Sequence, residues 1–208
     1  MPSSTQYEPR PLPFSKPLNG ISEKTISIHH DKLYVGYVNK MKEISEKLKA
    51  MADSSAVLDA ANQSYSDLRA LRDGETFATN GVYLHEDYFS VLGGDGTAEG
   101  PLADAIVAKW GSLEKFIAFF SATGMAMRGW VVLAWDARLG RLKIYGCDAH
   151  NQGGVWNAIP LLVLDVYEHA YFADYGSDRK AYIAAFWKNL DWKAANARFE
   201  RSKGLSLS

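Results

Sequence analysis

A long amphipathic pattern begins after Ser22, a residue type that is common at helix N-termini. The positions that follow at steps of three or four are Ile26, His29, Leu33, Tyr37, Met41, Ile44, Leu48 and Met51. Such steps place side chains along one stripe of an α-helix. The pattern therefore predicts one helix of about 30 residues that ends near Asp53 and carries a histidine on its buried face.

A second periodic run follows residues 57–71, in which the pattern is weaker. Its apolar side is made of Phe77, Gly81, His85, Tyr88, Phe89 and Leu92. Two successive amphipathic helices predict a helical hairpin. The glycine-rich segment 93–96 then favours a turn or linker. We predict a domain boundary there, between an N-terminal arm and helical hairpin domain at residues 1–94 and a C-terminal α/β domain at residues 95–208.

The second half changes from helical to extended patterns. Residues 102–110 and 113–127 are predicted to be helices, with Ser112 as the cap of the second. Branched and aromatic residues form short runs at 130–135, 142–147 and 159–164, the first two joined by a hairpin loop. We therefore expect an α+β fold, in which helices flank a small three-stranded antiparallel sheet. The proline-rich first 20 residues are predicted to form an irregular arm.

Composition narrows the function classes. Lys and Arg number 23 and Asp and Glu 24, so the net charge is −1 and the field that nucleic acid or an anionic membrane requires is missing. The sole cysteine, Cys147, excludes an internal disulfide, and no apolar stretch approaches the roughly 20 residues of a membrane span. The N-terminus also lacks the apolar segment of a secretory signal. We expect a cytoplasmic protein that binds neither nucleic acid nor membrane.

The first chemical candidates are Asp165 and His169, which lie four residues apart directly after a predicted strand. If Asp165 opens a helix, both side chains face the same side and can bind one metal ion. A pair of this kind is weak evidence by itself. In the alternative interpretation, Asp165 caps the helix and His169 is a hydrogen-bonded core residue.

Two further histidines, His29 and His85, strengthen the metal interpretation because each lies on the apolar face of a predicted helix. Burying three imidazoles without partners costs a few kcal/mol, and shared coordination removes this cost. Together with Asp165 and His169 they would form a His3Asp set, which suits Mn, Fe or Zn. Ligand chemistry alone does not separate a redox-active metal from a hydrolytic Zn that binds water.

Four separated motifs resemble the iron/manganese superoxide dismutase family. They are IHHDK at 28–32, GW at 129–130, DVYEHAY at 165–171 and FWKNLDW at 186–192, the last similar to the family's C-terminal helix. The resemblance implies the family's fold and the disproportionation of superoxide to dioxygen and hydrogen peroxide by one Mn or Fe ion per subunit. It also implies the metal ligands His29, His85, Asp165 and His169, with water or hydroxide in the fifth position.

The resemblance also assigns the residues around the metal. Gln152 occupies a loop position similar to that of the family's manganese-type glutamine, whereas Gly81 stands where the iron-type glutamine would be. Manganese is therefore slightly favoured over iron. Because the loop after Gln152 is short, His150 is an alternative for the same role. Tyr37 matches the family's gateway tyrosine, with an ordinary core aromatic as the alternative.

Two charged residues complete the implied site. Arg179 resembles the funnel arginine that attracts the anionic substrate, and an ordinary solvated arginine is the alternative. Glu168 is expected to pair with the equivalent of His169 in a second subunit. The resemblance thus implies a homodimer, and a tetramer is also compatible with it.

Several positions depart from the family's pattern near the expected site. Leu33 stands where a gateway histidine is usual, and Phe89 and Tyr167 occupy aromatic positions that usually include tryptophan. We hypothesise that Tyr167 supplies the hydrogen-bond donor lost at Leu33. Because the walls of the site are altered while the ligands remain, the activity is expected to be reduced or redirected. The alternatives are a different redox metalloenzyme on this scaffold and a metal-bound interaction protein.

Overall fold

A computed structural model of the chain describes residues 8–205. The predicted irregular arm is confirmed for residues 8–20, and residues 21 and 22 likewise form neither helix nor strand. The part of that prediction that concerns residues 1–7 lies outside the described residues. The C-terminal end of the arm is held by Asn189, whose side-chain oxygen accepts a hydrogen bond from the Asn19 backbone N–H at 2.7 Å.

The first half contains the predicted helical hairpin. Helix α1 (Glu23–Ser27), a π-helical segment (Ile28–Tyr34) and helix α2 (Val35–Ala52) follow one another without a break. Ser22 caps this long helix by accepting a hydrogen bond from the Thr25 N–H at 3.1 Å. A short helix α3 (Ser55–Asp59) leads to helix α4 (Asp67–Ser90), which packs along α2. The prediction of one long helix that carries His29 on its buried face is therefore confirmed.

The second half contains the predicted sheet between helices. Helices α5 (Pro101–Trp110) and α6 (Leu113–Ala126) precede strands β1 (Trp130–Asp136), β2 (Arg141–Cys147) and β3 (Ala158–Asp165). The strands are antiparallel in the order β2-β1-β3, and Trp130 pairs with both Cys147 and Asp165. The start of β1 and the ends of β2 and β3 therefore lie side by side. The α+β fold class is confirmed.

The segment after β3 corrects one expectation. Asp165 does not open a helix, because its backbone is still paired with β1 as the last residue of β3. The chain then forms a 3₁₀ turn (Glu168–Ala170) and helix α7 (Phe172–Tyr175). The Asp165 side chain holds this bend, since its Oδ1 accepts from the Tyr167 N–H at 2.9 Å.

The C-terminal motif at 186–192 is also more than one helix. It spans the end of helix α8 (Arg179–Lys188) and the start of helix α9 (Trp192–Lys203). The break is stabilised by Asp191, whose side chain accepts from the Ala194 N–H at 2.9 Å and caps α9.

The predicted boundary at residue 94 coincides with a tightly packed crossing of two chain segments. Gly94 donates its N–H to the Asn189 carbonyl at 3.0 Å, and the Asp191 N–H donates to the Val91 carbonyl at 2.8 Å. A side chain at Gly94 would collide with the backbone of Leu190. The division into domains at 1–94 and 95–208 remains a prediction. Within residues 8–205, no helix is long and apolar enough to cross a lipid bilayer.

Candidate metal centre

Four side chains from distant parts of the chain meet at one point. His29 lies in the π-helical segment, His85 in α4, Asp165 at the end of β3 and His169 in the 3₁₀ turn. Each offers one ligand atom, and these atoms all lie within 4.8 Å of one another. The first two histidines and Asp165 are fully buried, whereas the His169 side chain is 25% exposed. We call these four residues the His3Asp cluster.

Asp165 Oδ2 is the centre of the cluster. It lies 3.0 Å from His29 Nε2, 3.1 Å from His169 Nε2 and 3.6 Å from His85 Nε2. The turn after β3 brings His169 back over Asp165, so the two side chains converge although no α-helix joins them. Three ring nitrogens around one carboxylate oxygen form a compact donor set for a cation.

The protonation of His85 tests whether a metal ion fits. Its Nδ1 lies against the Gly81 carbonyl, which can only accept, so Nδ1 carries the proton of a neutral ring. Nε2 then presents a lone pair, and this buried atom has no hydrogen-bond partner. Burial lowers the pKa of His85 to about 3. A lone pair facing the Asp165 carboxylate is unfavourable unless a cation lies between them, so the donor set fits a bound metal ion.

The charges of the cluster agree with this fit. Burial opposes the ionisation of Asp165, but the neighbouring His169 and His29 outweigh it and hold the pKa of Asp165 below its usual range. Burial lowers the pKa of His29. For His169 burial also acts downward, yet the charge of Asp165 prevails and raises its pKa. A carboxylate among imidazoles, which bind a metal ion in their neutral form, suits Mn, Fe or Zn.

His150, and not Gln152, lies against the cluster. The Trp130 indole donates to His150 Nδ1 at 2.9 Å, which leaves Nε2 as the nitrogen that carries the proton of the neutral ring. Burial lowers the pKa of His150 to about 4, so the ring is neutral near pH 7. The ring centres of His150 and His85 are 5.8 Å apart. Gln152 is exposed on a turn closed by its own N–H and the Ala149 carbonyl.

Two tyrosines predicted for the site lie beside the cluster. The Tyr37 ring is 5.4 Å from His85 and 4.7 Å from His150, and burial raises its pKa. Tyr167 stacks on His169 with ring centres 5.2 Å apart. Position 81 must be small for Tyr37 to lie there, because a Cβ at Gly81 would be 2.8 Å from the Tyr37 Cδ1 atom. The structure therefore brings both tyrosines to the cluster.

Arg179 is bonded to the backbone near the end of α6 and to a tyrosine hydroxyl. Its Nη1 donates to the Met127 carbonyl at 2.7 Å, and its Nε donates to the Tyr171 hydroxyl at 3.1 Å. The Met127 and Gly124 carbonyls lie at the C-terminal end of α6, where a cation is favourable. Arg179 thus ties α8 to α6, and its charge is partly satisfied by the backbone.

A polar network next to the cluster was missed from the sequence. The Tyr34 hydroxyl donates to Glu86 Oε1 at 2.8 Å, and Arg10 Nη1 pairs with Glu86 Oε2 at 3.2 Å. Glu86 follows His85, and Tyr34 lies one position from the predicted stripe of α1 and α2. A carboxylate beside a site histidine was the available signal, but nothing in the sequence pairs residues that are 52 positions apart.

Comparisons with known proteins agree with this arrangement. A family profile described as "Iron/manganese superoxide dismutases, C-terminal domain" matches residues 98–198. The chain is 44% identical to "Superoxide dismutase [Fe]" of Aquifex pyrophilus over 189 residues, which are 89% of this chain and 87% of that protein. It is 39% identical to "Superoxide dismutase [Fe]" of Cupriavidus metallidurans, over 93% of this chain and 96% of that protein. It is 36% identical to "Superoxide dismutase [Mn] 1" of Halobacterium salinarum, over 95% of this chain and 97% of that protein.

Proposed function

Because the chain belongs to the iron/manganese superoxide dismutase family, we propose that it converts two superoxide ions and two protons into dioxygen and hydrogen peroxide. The ligands in this proposal are His29, His85, Asp165 and His169, which would hold one Mn or Fe ion per chain. When bound, such an ion would supply one-electron chemistry between the +2 and +3 states, which the oxidation of one superoxide and the reduction of the next require. The observation that carries the proposal is the orphaned lone pair of His85 Nε2 facing Asp165.

His150 is the residue that we propose for orienting substrate or water in the site. Its neutral ring can donate only through Nε2, because Nδ1 accepts from Trp130. Gln152 is not part of this proposal because it is exposed on its turn. Tyr37 is proposed to pass protons from solvent, and two observations support this role: its ring packs on the His150 ring, and the residue is half-buried.

Tyr167 is proposed as a second donor. Its ring stacks on His169 and lies 5.1 Å from the His150 ring, and burial raises its pKa to about 12. The hydroxyl therefore keeps its proton at neutral pH and can donate a hydrogen bond. In this role it compensates for Leu33, which has no polar group.

Arg179 is proposed to contribute positive potential for the anionic substrate. The described residues provide backbone carbonyls and the Tyr171 hydroxyl as its partners, but no carboxylate that would cancel its charge.

For the ion we propose Mn ahead of Fe. The position of the family's iron-type glutamine is Gly81 in this chain, so α4 offers no side-chain amide to the site. The donor that we propose, His150, comes instead from the loop after β2. Relatives named for each of the two ions support the wider statement that the site holds Fe or Mn. Competitive loading with equal concentrations of Mn(II) and Fe(II), followed by metal analysis, tests the choice. A marked excess of bound iron would overturn it.

A symmetric dimer is also proposed, with Glu168 of each subunit paired with the His169 of the other. Glu168 is exposed in the single chain, and Phe172, shortly after it, is 57% exposed. A carboxylate next to an outward-facing ligand histidine can orient that histidine across a two-fold axis. Sedimentation of the wild type and of the Glu168→Gln variant tests the pairing, since the variant is expected to dissociate more readily.

The decisive test of the function is a superoxide assay on Mn-loaded and Fe-loaded protein, with metal content measured on the same samples. We expect rapid dismutation by at least one form and its loss in His85→Gln, together with weaker metal binding. His30→Gln is the matched control, because His30 lies outside the cluster, with its Nε2 against the Arg10 carbonyl. Bound redox metal without dismutation would indicate another redox enzyme, and a folded protein that binds no metal would indicate an interaction protein.

A further inference from the structure

A buried tyrosine beside the metal centre is paired with a carboxylate. Tyr34 is only 1% exposed. Its hydroxyl donates to Glu86 Oε1 at 2.8 Å and accepts from the Arg10 N–H, also at 2.8 Å. The other carboxylate oxygen of Glu86 pairs with the Arg10 guanidinium. The dismutase reaction proposed above makes no use of this group.

Tyr34 differs from the other tyrosines around the cluster. The tyrosine rings in contact with cluster histidines are those of Tyr34, Tyr37, Tyr88 and Tyr167. Tyr34 lies 6.5 Å from His85 between ring centres. Within the described residues, it is the one of these four whose hydroxyl donates to a carboxylate, whereas the Tyr88 hydroxyl is bonded to that of Tyr182.

This pairing matters because a phenol that loses an electron must also lose its proton. Burial raises the pKa of Tyr34 to about 12, so the resting side chain keeps its proton. The acceptor oxygen of Glu86 is already in hydrogen-bond contact, and the proton can cross that bond without movement of either side chain. Within the described residues, Tyr34 is therefore the member of the group whose proton already has a carboxylate acceptor.

We propose that Tyr34 is a redox-active residue that gives one electron to the metal centre when hydrogen peroxide reacts there, while Glu86 takes up its proton. This inference rests on the proposed function, which places a reduced metal ion in the site and produces the peroxide.

The step balances in atoms and electrons. The O–O bond of hydrogen peroxide breaks and takes up two electrons, which yields two hydroxide ions. One electron comes from the metal ion, which changes from +2 to +3, and the other comes from Tyr34. The phenolic O–H bond breaks, leaving a neutral phenoxyl radical, and Glu86 changes from carboxylate to carboxylic acid. The hydroxide ions become water by taking two protons from solvent.

The consequence is protection of the cluster. Without Tyr34, the second electron would be taken from groups closest to the metal, which include the imidazoles of His29, His85 and His169. With Tyr34, the oxidising equivalent moves to a residue that is joined through Glu86 to the 75% exposed side chain of Arg10. Loss of the tyrosine is therefore expected to increase oxidation of the cluster histidines.

The test uses the full chain loaded with Fe(II), mixed without oxygen with one equivalent of hydrogen peroxide and frozen for electron paramagnetic resonance. We expect a phenoxyl signal that narrows when the tyrosine rings are deuterated. The signal should be lost in Tyr34→Phe and strongly reduced in Glu86→Gln, which keeps an acceptor but removes the base. Peptide mass spectrometry should show more oxidised cluster histidine in both variants.

Tyr145→Phe is the matched control. The Tyr145 hydroxyl also donates to a carboxylate, Asp136 Oδ2 at 3.1 Å, but its ring contacts no histidine of the cluster. This variant should keep the signal. A signal that persists in folded, iron-loaded Tyr34→Phe, or that is lost equally in Tyr145→Phe, would overturn the proposal.

Two further measurements keep the inference testable if Tyr34→Phe does not fold or bind iron. Spin trapping in the wild type should place the adduct on Tyr34, and an adduct confined to another residue would contradict the proposal. The superoxide assay on the same wild-type samples separates the two conclusions. Because peroxide is added directly, a radical on Tyr34 without dismutation would reject the proposed function alone.

Discussion

Gly81 serves the cluster in two ways. Its carbonyl accepts from His85 Nδ1 and so fixes the lone pair on Nε2. Its missing side chain also leaves the space that the Tyr37 ring occupies. A residue without chemistry of its own therefore decides both the protonation of a ligand candidate and the position of the gateway candidate.

We expect Gly81→Ala to lower dismutase activity without the usual gain in helix stability. Alanine at an exposed helical position stabilises by about 1 kcal/mol relative to glycine. At position 81 the new Cβ would lie 2.8 Å from Tyr37 Cδ1, so Tyr37 must move. Gly36→Ala in α2 is the control, because its added Cβ would meet no described atom within 4 Å apart from its chain neighbours and the backbone of its own helix. Urea unfolding and the superoxide assay check both variants, and an equal stability gain in the two would contradict the argument.

Tyr167→Phe is expected to slow turnover while metal content stays unchanged. The variant keeps the ring stacked on His169 and removes only the hydroxyl, which we propose as the donor that compensates for Leu33. Steady-state rates of the metal-loaded variant and of Tyr145→Phe, measured with metal analysis, provide the comparison. An unchanged rate in Tyr167→Phe would remove this role from the proposal.

At the scale of elements, three of the four cluster residues lie where the regular backbone conformation changes. His29 is in a π-helical segment of 7 residues, His169 is in a 3₁₀ turn, and Asp165 is the last residue of a strand. Changes of winding rotate a side chain relative to its neighbours in a regular element. His85, by contrast, is in the regular helix α4, so the placement of this helix fixes the position of its ring.

Removal of the N-cap of α4 is expected to lower the free energy of unfolding by about 1 kcal/mol. Ser66 Oγ accepts from the Arg69 N–H, and Ser66→Ala leaves that donor without its partner. Ser54→Ala is the matched control, because Ser54 precedes α3 but makes no capping hydrogen bond. Urea unfolding of both variants should show a clear loss for Ser66→Ala and a change within about 0.5 kcal/mol for Ser54→Ala. An equal loss of unfolding free energy in the two variants would show that the loss in Ser66→Ala does not come from the capping hydrogen bond.

At the scale of the whole molecule, burial of neutral imidazoles predicts acid sensitivity. The folded pKa values of His85 and His150 are about 3 and about 4, below their ordinary value of 6.5. Between each folded pKa and the ordinary value, the unfolded chain binds more protons than the folded chain. The free energy of unfolding therefore falls as pH is lowered from about 6.5 toward 4. Asp165, with a lowered pKa, adds a further loss below about pH 4.

Urea unfolding of metal-free protein at several pH values between 7 and about 4.5 checks this expectation. The slope of the free energy of unfolding against pH should be smaller in His150→Phe. This variant removes one buried imidazole but no candidate metal ligand. A stability that does not change over this range would contradict it. In the metal-loaded protein, we expect acid to release the ion over a similar range, because protons compete for the ligand nitrogens.

The elements could be predicted from the sequence because their periodicity is a local property. Steps of three and four residues predicted the long helix and the C-terminal part of α4, but not the start of α4 at Asp67. The branched and aromatic runs predicted the strands within a few residues. The same patterns placed His29 and His85 on apolar faces. Periodicity did not predict how Asp165 reaches His169, since pairing with Trp130, which is distant in the chain, keeps Asp165 in a strand.

By itself, the sequence determined the α+β fold class, the long first helix, the three strands and the set of residues able to bind a metal ion, because these depend on residue type and near neighbours. The tertiary structure decided which side chains meet. It placed His150 rather than Gln152 beside His85 through the hydrogen bond from Trp130, and it joined Tyr34 to Glu86 across two helices. Such contacts depend on packing between segments that are far apart in the chain, and no local pattern encodes them.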